Sequence, residues 1–255
     1  MTMRFVAHLP EHCTTLIVIK GDNQINSQTN ITVKKDTVLK KIALIIVAVV
    51  GGFFGVQAKV DYNALEVEMR MNPDRYRQLM ERFENADTTL TNDELTFLYY
   101  GAAFTPSYAP GAKYTDIAQA IEDKNFEQAS VLADKALQQD PMSLELNILA
   151  LEASEKGAND AAHHIRTARL GFRCDMIANT ILESGRGTNA HSPFVVTSEA
   201  DMMRIMRNVL GVSQLMGRTT VGPIDALKFN LPGNDRMHIL YFDNTRQAQF
   251  EKNGK

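Results

Sequence analysis

ILESGRGTNAHSPFVV, Ile181 to Val196, divides the chain into two kinds of sequence. Before it, apolar residues recur at helical spacing; after it, they alternate or cluster in short blocks. The turn Ser184-Gly185-Arg186-Gly187-Thr188 lies between the two, with Gly185 read as a helix C-cap. Phe194-Val195-Val196-Thr197 then reads as a strand. Helices first and strands later predict an α+β fold, with helices packed on a small C-terminal antiparallel sheet.

Toward the C-terminus, Glu199 to Leu210 reads as a helix capped by Thr197 or Ser198, with Met202, Met206 and Val209 at helical spacing. Val212–Thr220, Ile224–Leu231 and Met237–Asp243 read as strands. The turn Leu231-Pro232-Gly233-Asn234-Asp235 joins the last two in a hairpin. In the final strand His238, Leu240 and Phe242 face one way and Ile239 and Tyr241 the other. Both sets are largely apolar, which places the strand centrally or buries it on both faces.

Toward the N-terminus the pattern is helical from Asp61 to Glu183. Asn72-Pro73 opens a helix that runs to Phe83. Thr91-Asn92-Asp93-Glu94 is a capping box ahead of Leu95, Phe97 and Leu98. Gly101, Pro106 and Pro110 end that helix and leave an aromatic segment carrying Tyr99, Tyr100, Phe104, Tyr108 and Tyr114. Asn125-Phe126-Glu127-Gln128-Ala129 then aligns with Gly157-Ala158-Asn159-Asp160-Ala161, as Ala133 does with Ile165 and Ala136 with Ala168. A common offset of this size is the look of tetratricopeptide-like helix hairpins, although two incomplete units fall short of a binding solenoid.

Ile42 to Val56 is a nearly unbroken apolar run, preceded by Lys40 and Lys41 and followed by Gln57-Ala58-Lys59. A charged start, a short apolar core and small residues at its end predict a signal peptide over 38–58, cut between Ala58 and Lys59. The competing reading is an inner-membrane anchor over 42–58, but a spanning helix needs ~20 apolar residues. Residues 1–37 are polar and without period; they read as a mis-called start, with translation beginning at Val38, or as a disordered extension. The mature chain from Lys59 is then one domain, helical over 59–183 and β-rich over 184–255. It is expected in the periplasm or outside the cell.

Composition narrows the function. A net charge of −3 argues against a nucleic-acid partner. Two cysteines build neither a disulfide scaffold nor a four-cysteine zinc site, and Cys174 in mid-helix reads as a small buried hydrophobe. His163 and His164 are adjacent and diverge by ~100° on a helix, so they do not converge on a metal. Gly185 to Thr188 follows a helix and precedes a strand, the wrong order for a phosphate loop. His191 and Ser192, with Glu199 and Asp201 shortly after, could be written as a catalytic group, yet adjacent Ser and His seldom face each other and no nucleophile elbow is present. Met202, Met203 and Met206 read as core. No cofactor is expected.

LMERFENADTTLTNDELTFLYYGAAFTPSY, Leu79 to Tyr108, resembles the opening of an exported family from Bacteroidetes catalogued as domain of unknown function 4919. The segments Ile181 to Val196 and Ala226 to Asp243 are similar to its C-terminal half. The resemblance covers nearly the whole mature chain. It implies an exported protein with helices before a β-rich end, and it implies no activity.

Tyr99, Tyr100, Phe104, Tyr108 and Tyr114 can line a groove, because aromatic side chains bring large contact area at little entropic cost. The competing role is to staple the helical part to the sheet. The expectation is a non-catalytic module that holds a protein or peptide of the cell envelope. The alternative is an envelope or polysaccharide hydrolase with carboxylates scattered in sequence; the third is a structural envelope component. No membrane contact is expected beyond an uncleaved signal segment. An exposed apolar patch would favour the binding module; a cleft with two carboxyl groups at glycosidase spacing would favour the hydrolase.

Overall fold

Local chemistry starts most of the helices. A computed structural model describes residues 60–157, 160–231 and 234–254. The segment 1–37, the signal peptide 38–58, the cut between Ala58 and Lys59 and the Pro232-Gly233 turn lie outside the described residues. Helix α1 (Tyr62–Met71) begins where the Asp61 carboxylate accepts the N–H groups of Asn63 and Ala64. Helix α2 (Pro73–Glu84) follows Asn72 with proline at its first position. Helix α3 (Asn92–Gly101) has the expected capping box: Glu94 N–H donates to Thr91 Oγ1 at 3.3 Å and Thr91 N–H to Glu94 Oε2 at 2.8 Å. Such a cap contributes about 1 kcal/mol. A 3₁₀ turn, Ala102–Phe104, ends α3.

Four helices follow: α4 (Thr115–Glu122), α5 (Phe126–Leu137), α6 (Leu144–Glu155) and α7 (Ala161–Glu183). Asn125, Ser143 and Asp160 cap the last three. Ala129, Ala133, Ala150 and Ala153 are fully buried where these helices meet, because small side chains let backbones approach. Successive helices therefore pack as hairpins, but the sequence repeat is not a repeat of packed faces. Ala161, Ile165 and Ala168 of α7 are exposed where Ala129 and Ala133 of α5 are buried.

The β-rich end holds β1 (Phe194–Val195), α8 (Glu199–Arg204), a π turn (Ile205–Val209), β2 (Leu215–Val221), β3 (Ile224–Leu231), β4 (Asn234–Asp243) and α9 (Thr245–Asn253). Strand order is β1-β4-β3-β2. β2, β3 and β4 are antiparallel, but β1 runs parallel to β4, with Phe194 opposite Phe242. The sheet is thus mixed rather than antiparallel throughout. β1 and β4 are distant in sequence, so no tight turn forces them to oppose. The helix read from Glu199 to Leu210 loosens after Arg204, where Leu210 N–H reaches Ile205 O and Val212 N–H reaches Met206 O. Val212 is therefore tied to that turn and the strand starts at Leu215, not Val212.

One core joins the two parts. Phe83, Leu98, Tyr99, Tyr100, Ile177 and Ile181 from the helices pack with Met202, Ile205, Met206, Leu227, Phe229 and Phe242. Helix α9 was not read from the sequence. It begins at Asp243-Asn244-Thr245, where Asp243 Oδ1 accepts Thr245 N–H at 2.9 Å.

The glycine-rich turn is a clasp. Arg186 N–H and Gly187 N–H both donate to Ser192 O, at 3.0 and 2.8 Å, and Tyr241 N–H donates to Gly187 O at 2.8 Å. The helix C-cap is Ser184, not Gly185. Gly185 is required for space: a Cβ there would lie 1.8 Å from Pro193 O. Gly187 has φ +66°, and its Cβ would strike the Phe194 ring.

Candidate functional site

The aromatic segment meets the rest of the protein along a polar seam inside the core. Tyr99 is fully buried; its hydroxyl donates to Asp201 Oδ2 at 2.9 Å and accepts Thr197 N–H at 3.2 Å. Tyr100 O–H donates to Val195 O at 3.1 Å, and Tyr108 O–H to Thr197 O at 2.6 Å. Tyr114 O–H donates to Asp140 Oδ2 at 2.9 Å. Phe104 is half-buried beneath the Arg246 guanidinium, 4.2 Å from its ring centre. Tyr108 meets Phe250 edge to face at 5.1 Å. Four of the five aromatic candidates thus spend their hydroxyls on joints between elements.

The carboxylate of Asp201, a residue of α8, reaches the start of α6, where its Oδ1 accepts Glu145 N–H at 3.1 Å. Burial pushes its carboxyl up to about 7, and the N–H groups of Glu145 and Leu144 with the Tyr99 hydroxyl pull it back. Asp140, across a cleft that also includes Tyr108, Tyr114, Ser143 and Ser198, is raised by burial as well. The cleft leaves about 20 Å³ for the centre of a water-sized molecule. That is room for one water and not for a sugar ring. Glu145 in its wall is paired with Arg204 at 3.4 Å.

The other sequence candidates separate. His191 is exposed in the clasp loop, and Ser192 Oγ accepts Arg186 N–H. Glu199 opens α8 and pairs with Arg218 of β2, which also grips Asp225 through two bonds of 2.9 Å. His163 Nε2 donates to Ser154 O, while His164 is exposed. Burial pushes the Cys174 thiol up to about 12, which leaves it unreactive. Among the described residues no three His, Cys, Asp or Glu side chains are placed to hold a metal ion. No described helix is long and apolar enough to cross a membrane.

Two surfaces are apolar and open. A cleft of about 360 Å³ lies between α1, the start of α2 and the turn after α3, with Met69, Pro73, Tyr76, Phe104 and Pro106 on its walls. Of the aromatic candidates, Phe104 faces this cleft. The second surface is the outer face of the sheet. By strand alternation Asp225, Leu227 and Phe229 of β3 point to the core, and so do Leu240 and Phe242 of β4. Ile224 and Ala226, with Val221, Met237, Ile239 and Tyr241 on the neighbouring strands, point the other way. Val221 is 73 % exposed and Met237 58 %; the other four are partly covered and none joins the hydrophobic core. The final strand is central, as expected, and among the described residues its outer face is covered only in part.

The sequence profile described as Domain of unknown function (DUF4919) matches residues 65–253. The chain belongs to that family. The match takes in all but the first few residues of α1, the whole polar seam and the open sheet. No curated protein and no solved structure matches the chain.

The outer sheet face was missed in sequence because Ile239 and Tyr241 read as a second buried face. A signal was available: β2, which continues the sheet, carries Gly217, Thr219 and Thr220, too small and polar for a strand covered on both sides.

Proposed function

We propose that this family member is an exported, non-catalytic module that holds a protein or peptide of the cell envelope. The observation that carries the reading is the outer face of β2–β4, where Val221, Ile224, Met237, Ile239 and Tyr241 lie on one face with Thr219, Lys228 and Asn230, and where Val221 and Met237 are exposed. Contiguous apolar surface on a folded protein marks a place where another molecule binds. Export rests on the signal-like segment 38–58, with Lys59 as the mature N-terminus. A hydrolase is disfavoured by the narrow carboxylate cleft, in which Asp201 already accepts bonds from Tyr99 and Glu145.

The test is crosslinking of the tagged protein in its native envelope, followed by purification and mass spectrometry. Lys228 lies on the outer face of β3 and serves as a built-in attachment point. A stoichiometric partner crosslinked through Lys228 is expected. Folded, exported protein that captures no stoichiometric partner overturns the reading. N-terminal sequencing of the same material is expected to begin at Lys59, and a peptide from residues 1–37 would contradict the start at Val38.

A further inference from the structure

Residues 105–114 close one side of the narrow cleft that holds Asp140 and Asp201. The segment is neither helix nor strand. Its backbone bonds are local: Tyr108 N–H donates to Thr105 O and Ala112 N–H to Ala109 O. It is tied outward by the Tyr108 hydroxyl on Thr197 O, the Tyr114 hydroxyl on Asp140 Oδ2 and the ring contact of Tyr108 with Phe250. The opposite wall is built into the core. Asp201 accepts Glu145 N–H and the Tyr99 hydroxyl, and its own N–H donates to Ser198 Oγ, so α3, α6 and the cap of α8 fix its place.

Charge in this cleft has little to offset it. Asp201 is 1 % exposed and Asp140 is half-buried. Each carboxylate is opposed by burial and by the other. Burial raises the Asp201 carboxyl to about 7 and raises that of Asp140 as well. Below neutral pH the pair therefore carries at most one charge, and above it two. At 2.9 Å the Tyr99 hydroxyl can donate to the ionised Asp201 or accept from the neutral acid, so the joint to α3 survives either state. The other charged groups nearby are engaged elsewhere. Glu145 of α6 pairs with Arg204 of α8, and Glu199 of α8 with Arg218. Arg173 of α7 donates to Pro141 O at 3.3 Å, and Arg246 of α9 to Ala103 O. Glu251 of α9 accepts from Gln247, while Lys113 and Asp116 are exposed. Burial keeps Tyr76, Tyr99, Tyr108 and Tyr114 neutral. Among the described residues no histidine lines the cleft.

We propose that Asp140 and Asp201 form a pH-operated latch, which keeps segment 105–114 shut over the cleft while the pair carries at most one charge and lets it swing open when both carboxylates are ionised. Two charges in a dry cleft are relieved when water reaches them. The wall that moves is the one held by two tyrosine hydroxyls, not the one built into α3, α6 and α8. The direction follows from the Asp201 carboxyl, which is raised in the closed form and returns toward its ordinary 3.8 in contact with water. Its contribution to closure is full below about 4 and is lost as pH rises to about 7. The latch needs no bound partner.

The experiment follows amide hydrogen exchange of the full chain by NMR from about pH 5.5 to about pH 8.5, with each rate divided by that of the same sequence in a free peptide. The N–H groups of Tyr108 and Ala112, bonded within the segment, report its closure. Their protection is expected to fall at least tenfold across the range, while that of Leu98 and Ile177 in the core changes less than twofold. Asp140→Asn and Asp201→Asn each remove one of the two charges and should reduce the fall at Tyr108 and Ala112 to less than twofold. Level protection of the segment in the native chain overturns the latch, a result that needs neither variant to fold. A fall that persists in either folded variant overturns it too, because other groups would then drive the opening. So does an equal fall at Leu98 and Ile177, which would mean that the core opens as a whole.

Discussion

The seam around Tyr99 and the outer face of the sheet break the usual partition in opposite directions. At the seam, hydroxyls and a carboxylate lie inside the core; on the outer face, Val221 and Met237 lie in water. The interior polar groups have partners: Tyr99, Tyr100, Tyr108 and Asp201 all make hydrogen bonds to other elements. The exterior apolar groups do not join the core. A buried polar group that is satisfied is an architectural device. An exposed apolar surface left uncovered is an offer of binding. The aromatic segment is thus a joint between elements, and the sheet face is the surface on which the proposed binding rests.

The strongest way to break this division is to disturb the clasp that holds both regions. Gly185→Ala places a Cβ against Pro193 O, so the loop must move away from β4. A loss of about 3 kcal/mol or more in urea unfolding is expected, and a loss under ~0.5 kcal/mol would show that the loop yields freely. Next in size is Tyr99→Phe, which leaves Thr197 N–H and Asp201 Oδ2 without that partner. It should cost about 1–3 kcal/mol. If the seam were only a patch of chance contacts, the loss would be negligible.

Asp201→Asn sharpens the comparison through pH. The folded carboxyl is raised to about 7 from an ordinary 3.8. The folded state therefore keeps a proton that the unfolded state releases. This group's contribution to stability is full below about 4 and is lost as pH rises to about 7. Stability of the native chain relative to the Asn variant should fall across that window, measured by urea midpoints at successive pH values. A difference independent of pH would mean that Asp201 is ionised throughout.

The smallest effect on stability is expected on the outer face. Val221→Lys with Met237→Lys should change stability by no more than ~0.5 kcal/mol each, as surface substitutions do. The same pair should abolish crosslinking through Lys228. Marked destabilisation would instead place these residues in a core that the chain completes by other means.

Much of the fold was legible because it is written in short-range chemistry. The Thr91–Glu94 box, the Asn72-Pro73 start and the Ile224–Leu231 strand all lie where the residues placed them. The clasp was legible as a turn, but the reason for its glycine was not. Gly185 answers to Pro193, a contact made by the loop's return and not by a local dihedral preference. The apparent repeat failed for a similar reason, since Ala133 and Ile165 share a sequence offset but not a packed face. Of the candidate site, the aromatic residues were found and their partners were not. Asp201 lies far along the chain from Tyr99, and no spacing rule links them.

By itself the sequence determined the α+β class, most of the element order short of α9, and several caps and turns, because these follow from interactions within a few residues. Tertiary structure alone decided the parallel pairing of β1 with β4, the burial of Tyr99 against Asp201, and which face of the sheet meets water. Those outcomes depend on which distant surfaces close on one another. Alternating apolar residues in a strand mark two faces without saying which will be covered.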